Sequence, residues 1–142
     1  MPATVFEDLD SLLSAGQRDL GSTEWVELTK SVIADFAAAT WLPGGPEGED
    51  NVAPPMLLLS LTNRFLPDLL EVRGASSGVN YGTGPVRFGA LPQAGDRIRA
   101  SALLVESAEA PAGVQTTVQI RIEVEGADSP ACTVDSLSRW LR

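Results

Sequence analysis

The segment "GVQTTVQIRIEVEG", Gly113 to Gly126, constrains the fold more than any other stretch of the chain. Val114, Thr116, Val118, Ile120, Ile122 and Val124 alternate with Gln115, Thr117, Gln119, Arg121, Glu123 and Glu125. A period of two describes a strand with one buried and one wet face, hence an antiparallel sheet packed on one side only. "DRIRASALLVESAEA" reads as the preceding antiparallel strand, with Pro111–Gly113 in the turn. "GVNYGTGPVRF" and "ACTVDSLSRWLR" supply two more.

The buried face needs something to pack against. "MLLLSLTNRFLPDLL" is apolar on most of its circumference through Leu61, which predicts a helix buried on nearly all sides. Its expected extent is Met56–Leu66. Pro54 and Pro55 precede it, where a missing amide donor leaves no intrahelical bond unmade, and Pro67 is placed to kink or end it. Upstream, "VFEDLDSLLSAG" reads as a short amphipathic helix closed by Gly16. "STEWVEL" (Ser22–Leu28) reads as a strand, and "TKSVIADFAAAT" as a helix, from the spacing of Val32, Ile33, Phe36 and Ala37. Pro43–Pro55 is expected to be loop, with an acidic patch at Glu47, Glu49 and Asp50. The class is α+β, one domain over residues 1–142, with a curved antiparallel sheet wrapped around a central apolar helix.

Composition narrows the function. Ten Lys and Arg against nineteen Asp and Glu give a net charge of −9, which disfavours nucleic acid and anionic membrane surfaces alike. The chain contains no histidine, so imidazole catalysis and His-ligated metal are excluded. No metal site and no cofactor is expected. The single cysteine, Cys132, has no internal disulfide partner and reads as a small buried apolar residue, which suits a reducing cytoplasm. "MPATVFEDLDSLL" lacks a basic-then-apolar signal pattern. The apolar run Met56–Leu70 is broken by Asn63, Arg64, Pro67 and Asp68 and is too short to span a bilayer. A cytoplasmic location is expected.

The wording of several segments is more specific than their periodicity. "STEWVEL…VIADFAAAT", "APPMLLLSL", "GVNYGTGPVRF", "AGDRIRASALLVE" and "GVQTTVQIRIEVEG…PACTVDSLSRWLR" occur in that order over most of the chain. In this the sequence resembles the MaoC-like hot-dog family, which includes the R-specific enoyl-CoA hydratases. The resemblance implies a hot-dog sheet around a central helix, paired with a second hot dog, and an acyl-thioester pocket between them. It also implies an Asp and a His that activate water, and a backbone amide at the start of the central helix that polarises the thioester carbonyl.

This chain departs from the pattern at each of those points. Trp41 and Leu42 stand where the family has Gly-Asp, the His-bearing segment is shortened, and Pro54-Pro55 replaces the His-Gly before the helix. Losing one oxyanion donor costs about 10²–10³ in rate. Losing an acid/base pair removes a further contribution on the order of 10²–10⁴. Hydration by the family mechanism is therefore not expected.

Catalytic residues stay unassigned, with Tyr81, Ser60, Asn80 and Asp68 as weak candidates. Ser60 matches a family serine on the central helix and has a structural alternative, bonding back to the helix backbone. Asn80 and Tyr81 match the family's "NYG" and are either turn and sheet packing or pocket lining. Arg87 is family-like and reads as structural. Asp68 and Glu71, like the acidic loop, read as solvated groups. Substrate-binding candidates are Trp41, Leu42, Met56, Leu57, Ser60, Asn80 and Tyr81.

Two classes of function survive. One is a repurposed enzyme, a cyclase acting on a hydrophobic polyketide or acyl chain, because positioning alone supplies about 7–11 kcal/mol. The other is a non-catalytic or acyl-binding partner of an active hot-dog hydratase; a dehydratase with a relocated acid/base is a third reading. A homodimer is expected, with a heterodimer as the alternative, because a lone hot-dog sheet leaves a strand edge exposed.

Overall fold

The computed structural model describes residues 2–43 and 51–142. Glu47, Glu49 and Asp50 lie outside the described residues, so the acidic patch and its suggested role have no structural account.

The sheet is built from the segments whose alternation predicted it. Strands β5 (Ser77–Phe88), β6 (Arg97–Ala110), β7 (Gly113–Val124) and β8 (Cys132–Leu141) are long and antiparallel. With β2 (Arg18–Ser22) they run in the order β2-β6-β7-β8-β5, and β3 (Val26–Glu27) pairs with the start of β6. Val114, Val118, Ile120 and Ile122 on β7 are all at most 1% exposed, so the predicted buried face is the observed one. Cys132 extends that face on β8 at 0% exposed, and burial pushes its thiol pKa up.

Against this face lies α3 (Pro55–Leu69). Its buried positions, Leu57, Leu58, Thr62, Phe65, Leu66 and Leu69, repeat every three to four residues, as a helix stripe must. Leu58 is completely buried, and truncating such a leucine typically costs about 2–5 kcal/mol. The helix differs from expectation in two ways. It runs through Pro67 to Leu69 rather than ending at Leu66. A proline removes only its own amide donor and its fit to the preceding carbonyl, and here that loss falls on the solvent side, where Asn63, Pro67 and Asp68 are exposed. Nor is α3 buried on nearly all sides: Met56 is 57% exposed, and Ser60, Asn63 and Arg64 are exposed too. Apolarity around a helix thus overstated its enclosure within one chain.

The remaining elements close the ends of the sheet. A capping box formed by Asp8 and Ser11 starts α1 (Leu9–Leu13), which buries Leu9 and Leu12. This helix is shorter than predicted because Val5 and Phe6 belong to β1 (Thr4–Phe6), which pairs in parallel with β4 (Leu70–Val72) directly after α3. Arg73 reinforces that junction with bonds to Glu7 and Glu71, both at 3.0 Å. Its pKa is raised, chiefly by the Glu71 hydrogen bond and then by Glu7. The strand predicted over Ser22–Leu28 shrinks to the two residues of β3, because Thr23 turns inward and its hydroxyl accepts from the Ala100 amide at 3.0 Å. The helix predicted from the spacing of Val32, Ile33, Phe36 and Ala37 is α2 (Lys30–Ala39), and Thr29 caps it. No helix among the described residues is long and apolar enough to cross a membrane.

Candidate functional site

The exposed stripe of α3 faces the edge strand β5, and between them opens a groove of about 550 Å³. Leu66, Pro67, Leu70 and Val72 supply apolar wall, with Val79 opposite and Trp140 behind. Gly78 on β5 lies directly against Trp140 in this wall. A Cβ at Gly78 would lie 2.6 Å from the Trp140 ring, so only glycine lets the indole sit against β5. The indole is held from the other side by its Nε1, which donates to Thr116 Oγ1 at 3.0 Å.

Three neutral polar side chains line this apolar space. Asn80 Nδ2 on β5 donates to Asn63 Oδ1 on α3 at 2.9 Å, tying helix to sheet edge across the groove. Ser138 on β8 is 4% exposed and lines the groove from the buried face. Among the described residues that line the groove, Glu71 is the one ionisable side chain, and Arg73 engages it. Among the described residues no cluster of His, Cys, Asp or Glu could hold a metal.

The start of α3 carries a second chemical fact. Pro54 is its N-cap and Pro55 its first residue, so neither offers an amide. The Leu57 amide is turned back onto the Pro54 carbonyl at 3.0 Å. A helix start of this composition has lost most of the donors that make such ends attractive to negative charge.

Of the residues singled out from sequence, the structure brings Asn80 and Glu71 into the lining of the groove and places the others elsewhere. Ser60 Oγ donates to the Met56 carbonyl at 2.9 Å, the backbone-bonding alternative. Asp68 pairs with Arg64 at 2.9 Å on the outer side of α3. Leu57 is 4% exposed and belongs to the core, whereas Met56 stands in solvent at the helix start. Trp41 is 90% exposed and Leu42 is 37% exposed, just past the end of α2, and neither lines the groove. Tyr81 sits at a bulge between Asn80 and Gly82 and lies under the Arg139 guanidinium, 4.0 Å from the ring centre. Arg139 is on the opposite face of β8 from Ser138 and Trp140, so Tyr81 points away from the groove.

Sequence reasoning missed Asn63, Gly78, Ser138 and Trp140. The signal for Ser138 was present: on β8 the inward positions run Cys132, Val134, Ser136, Ser138 and Trp140, so two hydroxyls interrupt an otherwise apolar face. Asn63 gave a weaker one, as an amide inside an apolar helix.

The fold and groove can now be set beside known proteins. No family model matches the chain. The chain is 33% identical over 148 residues to 3-hydroxyacyl-thioester dehydratase Z of Mycobacterium tuberculosis, covering 96% of this chain and 98% of that protein. It belongs to the MaoC-like hot-dog dehydratase family. Solved structures agree on the fold. The MaoC-like dehydratase from Rhodospirillum rubrum superposes with a TM-score of 0.65 at 12% identity, over 89% of this chain and 93% of that one. The ChsH1-ChsH2 complex from Mycobacterium tuberculosis gives 0.62 at 16% identity, over 90% of this chain and 99% of the matched chain. This member of the MaoC-like family therefore combines the family's architecture with a groove lined by Asn63, Asn80 and Ser138 and by Glu71, which Arg73 engages.

The contact between Gly78 and Trp140 gives a direct test. Gly78→Ala should destabilise the protein by about 1–3 kcal/mol through forced displacement of the indole. Gly82→Ala is the control, because a Cβ there meets nothing within 4 Å. Urea unfolding of the two variants measures the difference, and equal losses would contradict the close approach.

Proposed function

We propose that this protein binds a hydrophobic acyl or polyketide chain in the groove between α3 and β5 and acts on it as a cyclase, by shape and orientation. The observation that carries the reading is the groove itself: among the described residues, apolar walls, three neutral polar groups, and one carboxylate already engaged by Arg73. The absence of histidine from the chain and the prolines at the start of α3 point the same way. Together they remove the acid/base pair and the amide donor that the MaoC-like resemblance implies for hydration. Holding a chain in a near-attack geometry needs neither, and is worth about 7–11 kcal/mol where the geometry is good. The relatedness to a 3-hydroxyacyl-thioester dehydratase supports an acyl thioester as the form in which the chain arrives.

The edge of the sheet bears on assembly. Among the described residues strand β5 pairs with β8 alone, and Val79, Tyr81 and Phe88 on it are 47%, 54% and 40% exposed. An edge of this length and apolarity is normally covered, and a second copy of the chain is the occupant this reading assigns. A second reading, that the chain is the non-catalytic half of a mixed pair, is favoured by its likeness to one chain of a two-protein complex.

Two measurements check these statements. Assays with medium-chain trans-2-enoyl and 3-hydroxyacyl thioesters should show no hydration or dehydration above background. Turnover at ordinary enzyme rates, on the order of 1–10³ per second, would overturn the cyclase reading in favour of a relocated acid/base. Light scattering of the purified chain should give a dimer at micromolar concentration, and a monomer would favour the mixed pair.

A further inference from the structure

The indole of Trp140, at the back of the groove, is held at both of its edges. It stands on the inward face of β8, partly buried and packed against the core. One ring edge, Cε3 and Cζ3, lies against Gly78 of β5, where a Cβ would come within 2.6 Å of the ring. The opposite edge carries Nε1, which donates to Thr116 Oγ1 on β7 at 3.0 Å. Strand β8 lies between β7 and β5, so the ring spans the concave face as a slab across these strands. Thr116 is completely buried, and a buried N–H left without its partner is costly. Turning the ring would break that bond, and the Gly78 backbone closes the other side.

We infer that Trp140 sets the length of chain the groove accepts: its indole is a fixed stop, and Thr116 is the positioning residue that holds it. This inference rests on the acyl-binding reading of the groove and adds the residue that determines its specificity. Each methylene moved from water onto an apolar wall strengthens binding by a similar step, about fourfold per carbon. At a rigid stop the step vanishes, because further carbons must fold back or remain in water. A leucine in this place could yield by changing rotamer. An indole bonded at one edge and seated on backbone at the other cannot, and close-packed surroundings resist its displacement. Gly78 completes the device, since a side chain there would keep the ring from reaching β5.

The experiment is calorimetric titration with straight-chain acyl-N-acetylcysteamines from hexanoyl to tetradecanoyl, each below its aggregation concentration. Wild-type affinity should rise about fourfold per carbon and then level off at a definite length. In Trp140→Ala the rise should continue for at least two carbons more, so that the longest chains bind about tenfold tighter than to wild type, with hexanoyl within about twofold. Trp140→Phe and Thr116→Val should move the break in the same direction by less, and they carry the test where Trp140→Ala fails to fold. Trp41→Ala removes an exposed tryptophan outside the groove and should leave the break where it is. A merely structural role would weaken all lengths together without moving the break. A wild-type affinity that climbs through tetradecanoyl without levelling, or a break unmoved in both Trp140→Phe and Thr116→Val, overturns the inference while acyl binding stands. If no chain binds at all, the acyl reading and this inference both fall.

Discussion

The structure depends on one packing event, the burial of the α3 stripe against the concave face of the sheet. Leu58, Phe65 and Leu69 meet Val114, Val118, Ile120 and Ile122 in a single core. Stability scales with the apolar area removed from water, at roughly 25 cal/mol per Å², so the helix cannot turn on its axis without exposing that stripe. Fixing the buried stripe also fixes the exposed one. Asn63 and Pro67 are therefore held facing β5, and the groove follows from the core.

That coupling explains which parts of the fold were legible in the sequence. β7 was plain because its alternation reports burial on one side, and burial on one side is what occurs. The α3 segment was legible as a helix and illegible in its limits. Pro67 reads locally as a terminator, but its missing bond lies on an exposed face, and Leu69 continues the buried stripe beyond. β3 and the shortened α1 depended on partners distant in sequence, Ile98 for Val26 and Leu70 for Thr4, which no local pattern announces.

The candidate site was less legible than the fold, for a physical reason. Most of the residues implied by resemblance, Trp41, Leu42, Pro54, Pro55 and Ser60, lie before or in the first half of α3, whereas the groove lies along its second half. Ser138, Asn63 and Trp140 come from β8 and α3, 75 residues apart in sequence for the first pair by difference of their numbers. Only the register of β5 on β8, pairing Asn80 with Ser138 and Gly78 with Trp140, brings them together. Asn80 was found because its motif is local. Tyr81, its neighbour in that motif, was misdirected by a bulge that sequence does not show.

The central proposal is that this chain holds an acyl chain in the groove between α3 and β5 without groups that move protons to and from it. Crystallography of the protein with decanoyl-N-acetylcysteamine tests the first half directly. The account predicts density for the acyl chain between α3 and β5, in contact with Trp140 and within reach of Asn63 and Ser138. A chain bound elsewhere, with this groove left to solvent, would contradict it.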